Sequence, residues 1–384
     1  MSTTENKNKK MILAIIVLAV VLVAALGGYY YYANMSSPST MTTESTMAST
    51  TAASSSPVLK TSLKIALLLP GEKNDLSFNE AGYVAFLKMV DDLNSTGKYD
   101  IQVSIAEGLY TPEDAKPAIQ SLGTQGYNFI LANGYQYTPP AIDAAATYPN
   151  TGFLIVGGYE WGKNVGMSLP ATGEAGFLLG VLAALHSRTG KVGVIGGENV
   201  AEITWNTEGF KLGVAYANQN FGTHVTALVT FIGNFNDPAA AKAAAASDVS
   251  QGADILFCTG DGISIGTAAE AQAANVGFMY VAYNETSLAP ANTLGGETYS
   301  AAPVFEQAFN DWTTNGSFSS LPYYLTLQNH GLSLDLTSQV RANETVIINN
   351  LQQGVIDGKI RVYSELSNGT LVWSPLTPSY SSLG

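Results

Sequence analysis

The sequence of 384 residues has one cysteine, Cys258, so no intramolecular disulfide can form and a cysteine-built zinc site is excluded. It has three histidines, His186, His224 and His330, far apart and without an HxxxH pair, which removes the usual histidine metal sites. Charge is scarce: Asp, Glu, Lys and Arg make up 12% of the chain, about half the ordinary share. Cations are the scarcer sign, 17 against 30 acids, for a net charge of -13. A chain so poor in Lys and Arg is not built to track a phosphate backbone or to dock by charge on anionic lipid. Nucleic acid is therefore excluded as a partner. No Gly-x-Ser-x-Gly occurs, and no histidine stands where a Ser–His–Asp arrangement would need one. The composition reads as a binding protein, with no catalytic residues, no metal and no cofactor.

Long apolar runs are absent as well, with one exception. Residues 11–28 carry no charge, and four tyrosines follow at 29–32. Together they reach the ~20 residues that span hydrocarbon. Lys7, Lys9 and Lys10 on the preceding side predict that 1–10 is a cytoplasmic tail, with the tyrosines at the outer interface. Residues 11–33 are thus expected to be a transmembrane anchor. A cleaved signal is the alternative, although its apolar region usually has about 7–15 residues. Either way the rest is exported, which places the binding domain outside, at the cell membrane. Residues 34–59 are a Ser/Thr-rich linker without apolar periodicity and cannot bury a core. Sequons stand at Asn34, Asn94, Asn284, Asn315, Asn343 and Asn368.

From residue 60 onward short apolar runs alternate with amphipathic segments. Strands are predicted over 63–69, 101–105, 128–132, 152–156, 191–195, 225–231, 254–258 and 278–282. Helices are predicted over 79–93, 112–122, 140–148, 173–187, 205–219, 238–250 and 264–275. The first helix has a stripe of Val84, Leu87, Val90 and Leu93. Thr111-Pro112 reads as an N-cap with proline at the first helical position. Strand-helix alternation implies an α/β fold with parallel sheets. Some ten strands are many for one open sheet, so two lobes are expected.

In parallel sheets ligands bind beyond the carboxyl ends of strands. The loops there hold Asp75, Ser77, Phe78, Asn79, Gly134, Tyr135, Trp205, Gly260, Asp261 and Asn284. Amides, carboxylates and flat aromatic faces suit a neutral polyhydroxyl or heterocyclic ligand. Singly, each is also an ordinary turn residue. Gly157 to Asn164 nearly matches a phosphate loop, but Asn replaces the magnesium-binding Ser or Thr, and Pro170 lies where the helix should run. Gly260, Gly262 and Gly266 are off by one from a dinucleotide turn, and a tight strand-to-helix turn explains them better. Acid pairs such as Glu285 with Asp261 could in principle act as general acid and base. Their spacing favours nothing over solvated loop charge.

Four ordered stretches resemble the basic membrane protein family of substrate-binding proteins, also called purine-nucleoside-receptor-like. They are Asp75-Leu-Ser77-Phe78-Asn79, the segment 172–197, the helix 205–213 with EGFKLG, and Phe235-Asn-Asp-Pro238 with the Gly-Ala-Asp of 252–254. The resemblance covers nearly all of 62–365. It implies a type I periplasmic-binding-protein fold, with 60–172 and 284–322 as lobe 1 and 173–283 and 323–384 as lobe 2. It implies a nucleoside ligand delivered to ABC permease and ATPase subunits. It would make Phe78 and Trp205 an aromatic sandwich, put Asp75 and Asn79 on the base or ribose, and bring Gly260 close to the ligand. Asn284 stands where the family has a ribose-binding aspartate, Asp261 replaces a glycine, and the family's lysine has no match near Thr298-Tyr299. A ligand-sensing receptor of the same fold and an exported hydrolase acting on glycosides or nucleosides are the alternatives.

Overall fold

Runs that are apolar at consecutive positions need cover on both faces, and they become the inner strands of two sheets. The computed structural model describes residues 60–365 and 371–373. The anticipated tail 1–10, anchor 11–33 and linker 34–59 lie outside the described residues, as does 374–384. Among the described residues no helix is long and apolar enough to cross a membrane.

The first sheet contains β1 (Thr61–Leu68), β2 (Tyr99–Ala106), β3 (Phe129–Asn133), β4 (Gly152–Val156), β5 (Val165–Pro170) and β11 (Tyr323–Leu325). Its order is β11-β5-β4-β3-β1-β2, and every pair is parallel. The second contains β6 (Lys191–Gly196), β7 (Thr226–Phe231), β8 (Ile255–Thr259), β9 (Gly277–Tyr280), β10 (Thr293–Tyr299) and β12 (Leu332–Leu336). Its order is β12-β10-β9-β8-β6-β7, parallel except at the β10–β12 edge. A short antiparallel pair, β13 (Tyr363–Glu365) with β14 (Leu371–Trp373), follows. The α/β, two-sheet, periplasmic-binding-protein-like expectation is met.

The helices of the first lobe are α1 (Phe78–Ser95), α2 (Pro112–Thr124), α3 (Thr138–Thr147) and α8 (Ala302–Asn315). Those of the second are α4 (Gly173–His186), α5 (Ala201–Phe221), α6 (Pro238–Ser250), α7 (Ile263–Ala274) and α9 (Ala342–Ile356). At the start of α2 the Asp114 amide donates to Thr111 Oγ1 at 3.2 Å, and Asp114 Oδ2 accepts from the Thr111 amide at 3.1 Å, a reciprocal cap. The stripe expected on α1 is rotated. Val90 and Leu93 are buried as expected, but Val84 and Leu87 are exposed, and Ala81, Ala85, Phe86 and Met89 complete the inward face.

Three segments cross between the lobes, near 171–172, 300–301 and 326–331. The expected divisions at 284 and 323 are therefore displaced: β10 completes the second sheet and β11 the first. In lobe 1, α8 is tied down by the Trp312 indole donating to the Asn128 carbonyl at 2.9 Å and by the Phe309 ring edge-on to Tyr99.

The α4–α5 crossing explains two of the family-like stretches. A methyl at Gly180 would lie 2.0 Å from the Phe210 carbonyl oxygen, and one at Gly213 would lie 2.0 Å from that of Phe177. Gly176 and Gly209 face backbone just as closely. These glycines let the two helices touch backbone to backbone, so the motif at 172–180 and 209–213 serves packing. α4 is apolar around most of its circumference, as a helix buried on all sides must be.

Candidate ligand-binding cleft

The carboxyl ends of both sheets face one cavity of ≈ 380 Å³. Lobe 1 contributes Phe78, Tyr110, Gly134, Tyr135 and Gln136. Lobe 2 contributes Glu198, Glu202, Asn206, Phe235, Thr259, Gly260, Asp261, Ala282 and Tyr299. Of the ten residues expected at the site, Phe78, Gly134, Tyr135, Gly260 and Asp261 line the cavity.

The other five are elsewhere, each for a visible reason. Asp75 faces the amino end of α1: its Oδ1 accepts from the amides of Ser77 at 2.9 Å and Glu80 at 3.0 Å. A carboxylate there answers orphan N–H groups and the helix dipole. Asn79 is buried and its amide is fully used. Its Oδ1 accepts from the Gly71 amide at 2.9 Å, and its Nδ2 donates to Asp75 Oδ2 at 2.6 Å and to Asp261 Oδ2 at 2.9 Å. That last bond joins lobe 1 to lobe 2. Ser77 is buried beside Glu285, and neither side chain makes a hydrogen bond of good geometry. Trp205 is not a loop residue, because α5 begins four residues earlier. It lies partly buried against the main core, off the cavity lining. Asn284 is exposed and donates to Asp335 at 3.3 Å, so it does not stand in for a ribose-binding aspartate.

Two candidate motifs resolve structurally. After Gly157 the chain runs into β5, not a helix, so no helix N-terminus is available for phosphate. Gly262 precedes α7, and Gly266 lets α7 approach α6: a methyl there would lie 1.9 Å from the Pro238 carbonyl oxygen. Glu285 is completely buried and does not line the cavity, so Glu285 with Asp261 cannot flank a bound substrate.

The acids of the cleft are held by neighbours. Tyr135 donates to Glu198 Oε2 at 2.9 Å, a second bond between the lobes, and Tyr299 donates to Glu202 Oε1 at 2.8 Å. Burial, together with the Glu198 acceptor, raises Tyr135 to about 12, so its hydroxyl keeps its proton. Burial raises the Glu202 carboxyl to about 7 against the opposing effect of the Tyr299 hydroxyl. Asp261 is pushed well above the carboxylate range, first by burial and then by Asp75 across the lobe boundary. Behind the cavity, Asn206 donates to Glu297 Oε2 at 2.7 Å, and burial raises Glu297 as well. Glu174 receives the Leu327 amide of the third crossing at 2.8 Å and is raised to about 7 by burial.

Residues 62–323 match the family of ABC transporter substrate-binding proteins described as PnrA-like. The chain belongs to the PnrA-like family. Among its relatives, the transcriptional activator protein med of Bacillus subtilis is 30% identical over 205 residues, 53% of this chain and 60% of that protein. The ABC transporter nucleoside-binding protein BmpA of Lactococcus lactis is 28% identical over 222 residues, 56% of this chain and 60% of its own. The chain thus spans about three fifths of these two relatives. A solved ABC transporter solute-binding protein from Aeropyrum pernix superposes with a TM-score of 0.67 at 18% identity, covering 79% of this chain and 94% of that one, and shows the same fold. The PnrA-like family is one of substrate-binding proteins, not enzymes.

Within this PnrA-like chain, sequence reasoning missed Phe235, Tyr299, Glu198 and Glu202 as lining residues. Phe235 follows β7, so the strand-end rule that found the other loops points to it as well. Tyr299 ends β10, a strand not foreseen.

Proposed function

We propose that this protein captures a nucleoside between its two lobes and delivers it to the permease and ATPase subunits of an ABC importer. The observation that carries the reading is the pair of aromatic walls at facing strand ends: Phe78 from lobe 1, with Phe235 and Tyr299 from lobe 2. Flat rings over a base contribute roughly 1–3 kcal/mol each. The nucleoside-binding relative supports the ligand class. The binding domain lies outside the cell, tethered by 11–33 through the Ser/Thr-rich linker, and acts without enzymatic turnover. Mass spectrometry of small molecules released from the purified full-length protein tests the ligand. Nucleosides are expected, and a purely sugar or amino-acid content overturns the reading.

A second reading is sensing, which the transcriptional-activator relative favours. Deleting the gene would then alter transcription and leave nucleoside uptake intact, whereas an importer component loses uptake.

A further inference from the structure

The acids of the cleft are Glu198, Glu202 and Asp261, and among the described residues no Lys, Arg or His lines it. The two tyrosine hydroxyls beside these acids have already committed their protons to Glu198 and Glu202. Toward a ligand they offer lone pairs alone. Thr259 Oγ1 and Asp261 Oδ1, both on buried residues, make no hydrogen bond of good geometry among the described residues. Aromatic rings complete the walls, and their faces attract positive charge. Anionic ligands meet carboxyl groups with no counter-charge.

We propose that the preferred ligand is an unphosphorylated nucleoside whose base carries a positive charge, and that Glu202 selects it. The inference rests on the nucleoside reading above. Glu202 sits in the first turn of α5, held by Tyr299. Its Oε2 reaches the lobe boundary: a methyl at Gly157 would lie 3.6 Å from it, beside Tyr135. The groups around it are Tyr299 and Glu297 on β10, Glu174 on α4, and Tyr135 and Glu198 at the rim. None is a cation. A bound cation favours the ionised form of a carboxyl that titrates near 7, so binding releases a proton and strengthens as pH rises. A neutral nucleoside has no such coupling to Glu202.

Calorimetry with adenosine, 1-methyladenosine and adenosine 5′-monophosphate tests this. 1-Methyladenosine is a cation at neutral pH and otherwise shares the shape of adenosine. It is expected to bind at least tenfold tighter than adenosine, with the monophosphate at least a hundredfold weaker. Between pH 6 and 7.5 its affinity should rise about eightfold, as full coupling to one group near 7 requires. Glu202→Gln, which keeps an acceptor for Tyr299, should bring the ratio of the two nucleosides toward one. Should that variant not fold, the wild-type pH series carries the same test. Equal binding of adenosine and 1-methyladenosine, or tight binding of the monophosphate, overturns the inference and leaves the nucleoside reading standing. No binding of any of the three overturns both.

Discussion

Removing the Tyr135 hydroxyl should weaken ligand capture without weakening the lobes. The bond from Tyr135 to Glu198 joins residues of different lobes across 2.9 Å, so it exists only when the cleft is shut. Binding proteins of this architecture close by hinge motion around the ligand. A hydrogen bond to a charged acceptor contributes about 1.5–3 kcal/mol when buried. Tyr135 is only part-buried at the rim, so water competes and ~1 kcal/mol is the fitting figure. That corresponds to roughly a fivefold loss of affinity. Tyr135→Phe keeps the ring and leaves each lobe's core intact, so the melting temperature without ligand should move by less than about 2 °C. A double-mutant cycle with Glu198→Ala separates closure from direct ligand contact. If both groups act through their one bond, the double variant loses about the same fivefold as either single one. If each touches the ligand independently, the losses multiply to about twenty-five-fold. Multiplying losses by calorimetry, or unchanged affinity in Tyr135→Phe, would refute the closure argument.

Phe235→Ala should lower nucleoside affinity roughly tenfold to a hundredfold, the stacking contribution of one ring, while Trp205→Phe should change it less than about twofold; calorimetry on both separates the cleft aromatic from the packing one. Gly180→Ala or Gly213→Ala should cost about 1–3 kcal/mol or more in urea unfolding, because the added methyl meets backbone oxygen. An unchanged midpoint would mean the two helices are free to separate. The melting temperature should fall as pH rises from 5 to 8. Burial raises Glu174 and Glu202 to about 7 and Asp248 to about 6, and a raised carboxyl stabilises fully below its unfolded value, losing that stability as pH climbs through the folded one. At most about 3 kcal/mol attaches to each glutamate, less because both retain some accessible surface. Below about pH 4 the trend should reverse as Glu344, held down to about 2 by His186 and Arg341 against its own burial, gains a proton. A flat or rising melt between pH 5 and 8 contradicts the burial argument.

How far the sequence reached depended on which physical cause each feature obeys. The sheets were legible because buried parallel strands must be apolar at consecutive positions, as at 152–156. Gly134, Tyr135, Gly260 and Asp261 were legible because parallel strands present ligands at one end. Trp205 was misplaced because the start of α5 has no side-chain cap: Val200 occupies the N-cap, and 201–204 then read as loop. The same omission hid Glu202 in the first turn of α5. The rotated stripe on α1 has another cause. Its inward face is partly alanine, and alanine carries little periodic signal beside an exposed Val84 and Leu87.

The Asp75–Asn79 stretch shows why residue type alone could not assign roles. A carboxylate, a hydroxyl and an amide beside an aromatic ring look like four ligand contacts, but the backbone at the amino end of α1 claims most of them. Four N–H groups there lack partners within the helix, and Asp75 meets those of Ser77, Asn79 and Glu80. Asn79 has one acceptor and two donor hydrogens, and all three are satisfied, by Gly71, Asp75 and Asp261. Both donor hydrogens are spent and the side chain is buried, so the amide is not presented to a ligand. Phe78, with no polar group to satisfy, is the member left to face the cavity. The stretch therefore sets the pitch of one aromatic wall. Through Asp261 it also fixes that wall against the opposite lobe, so closing the cleft and positioning the ring are one event.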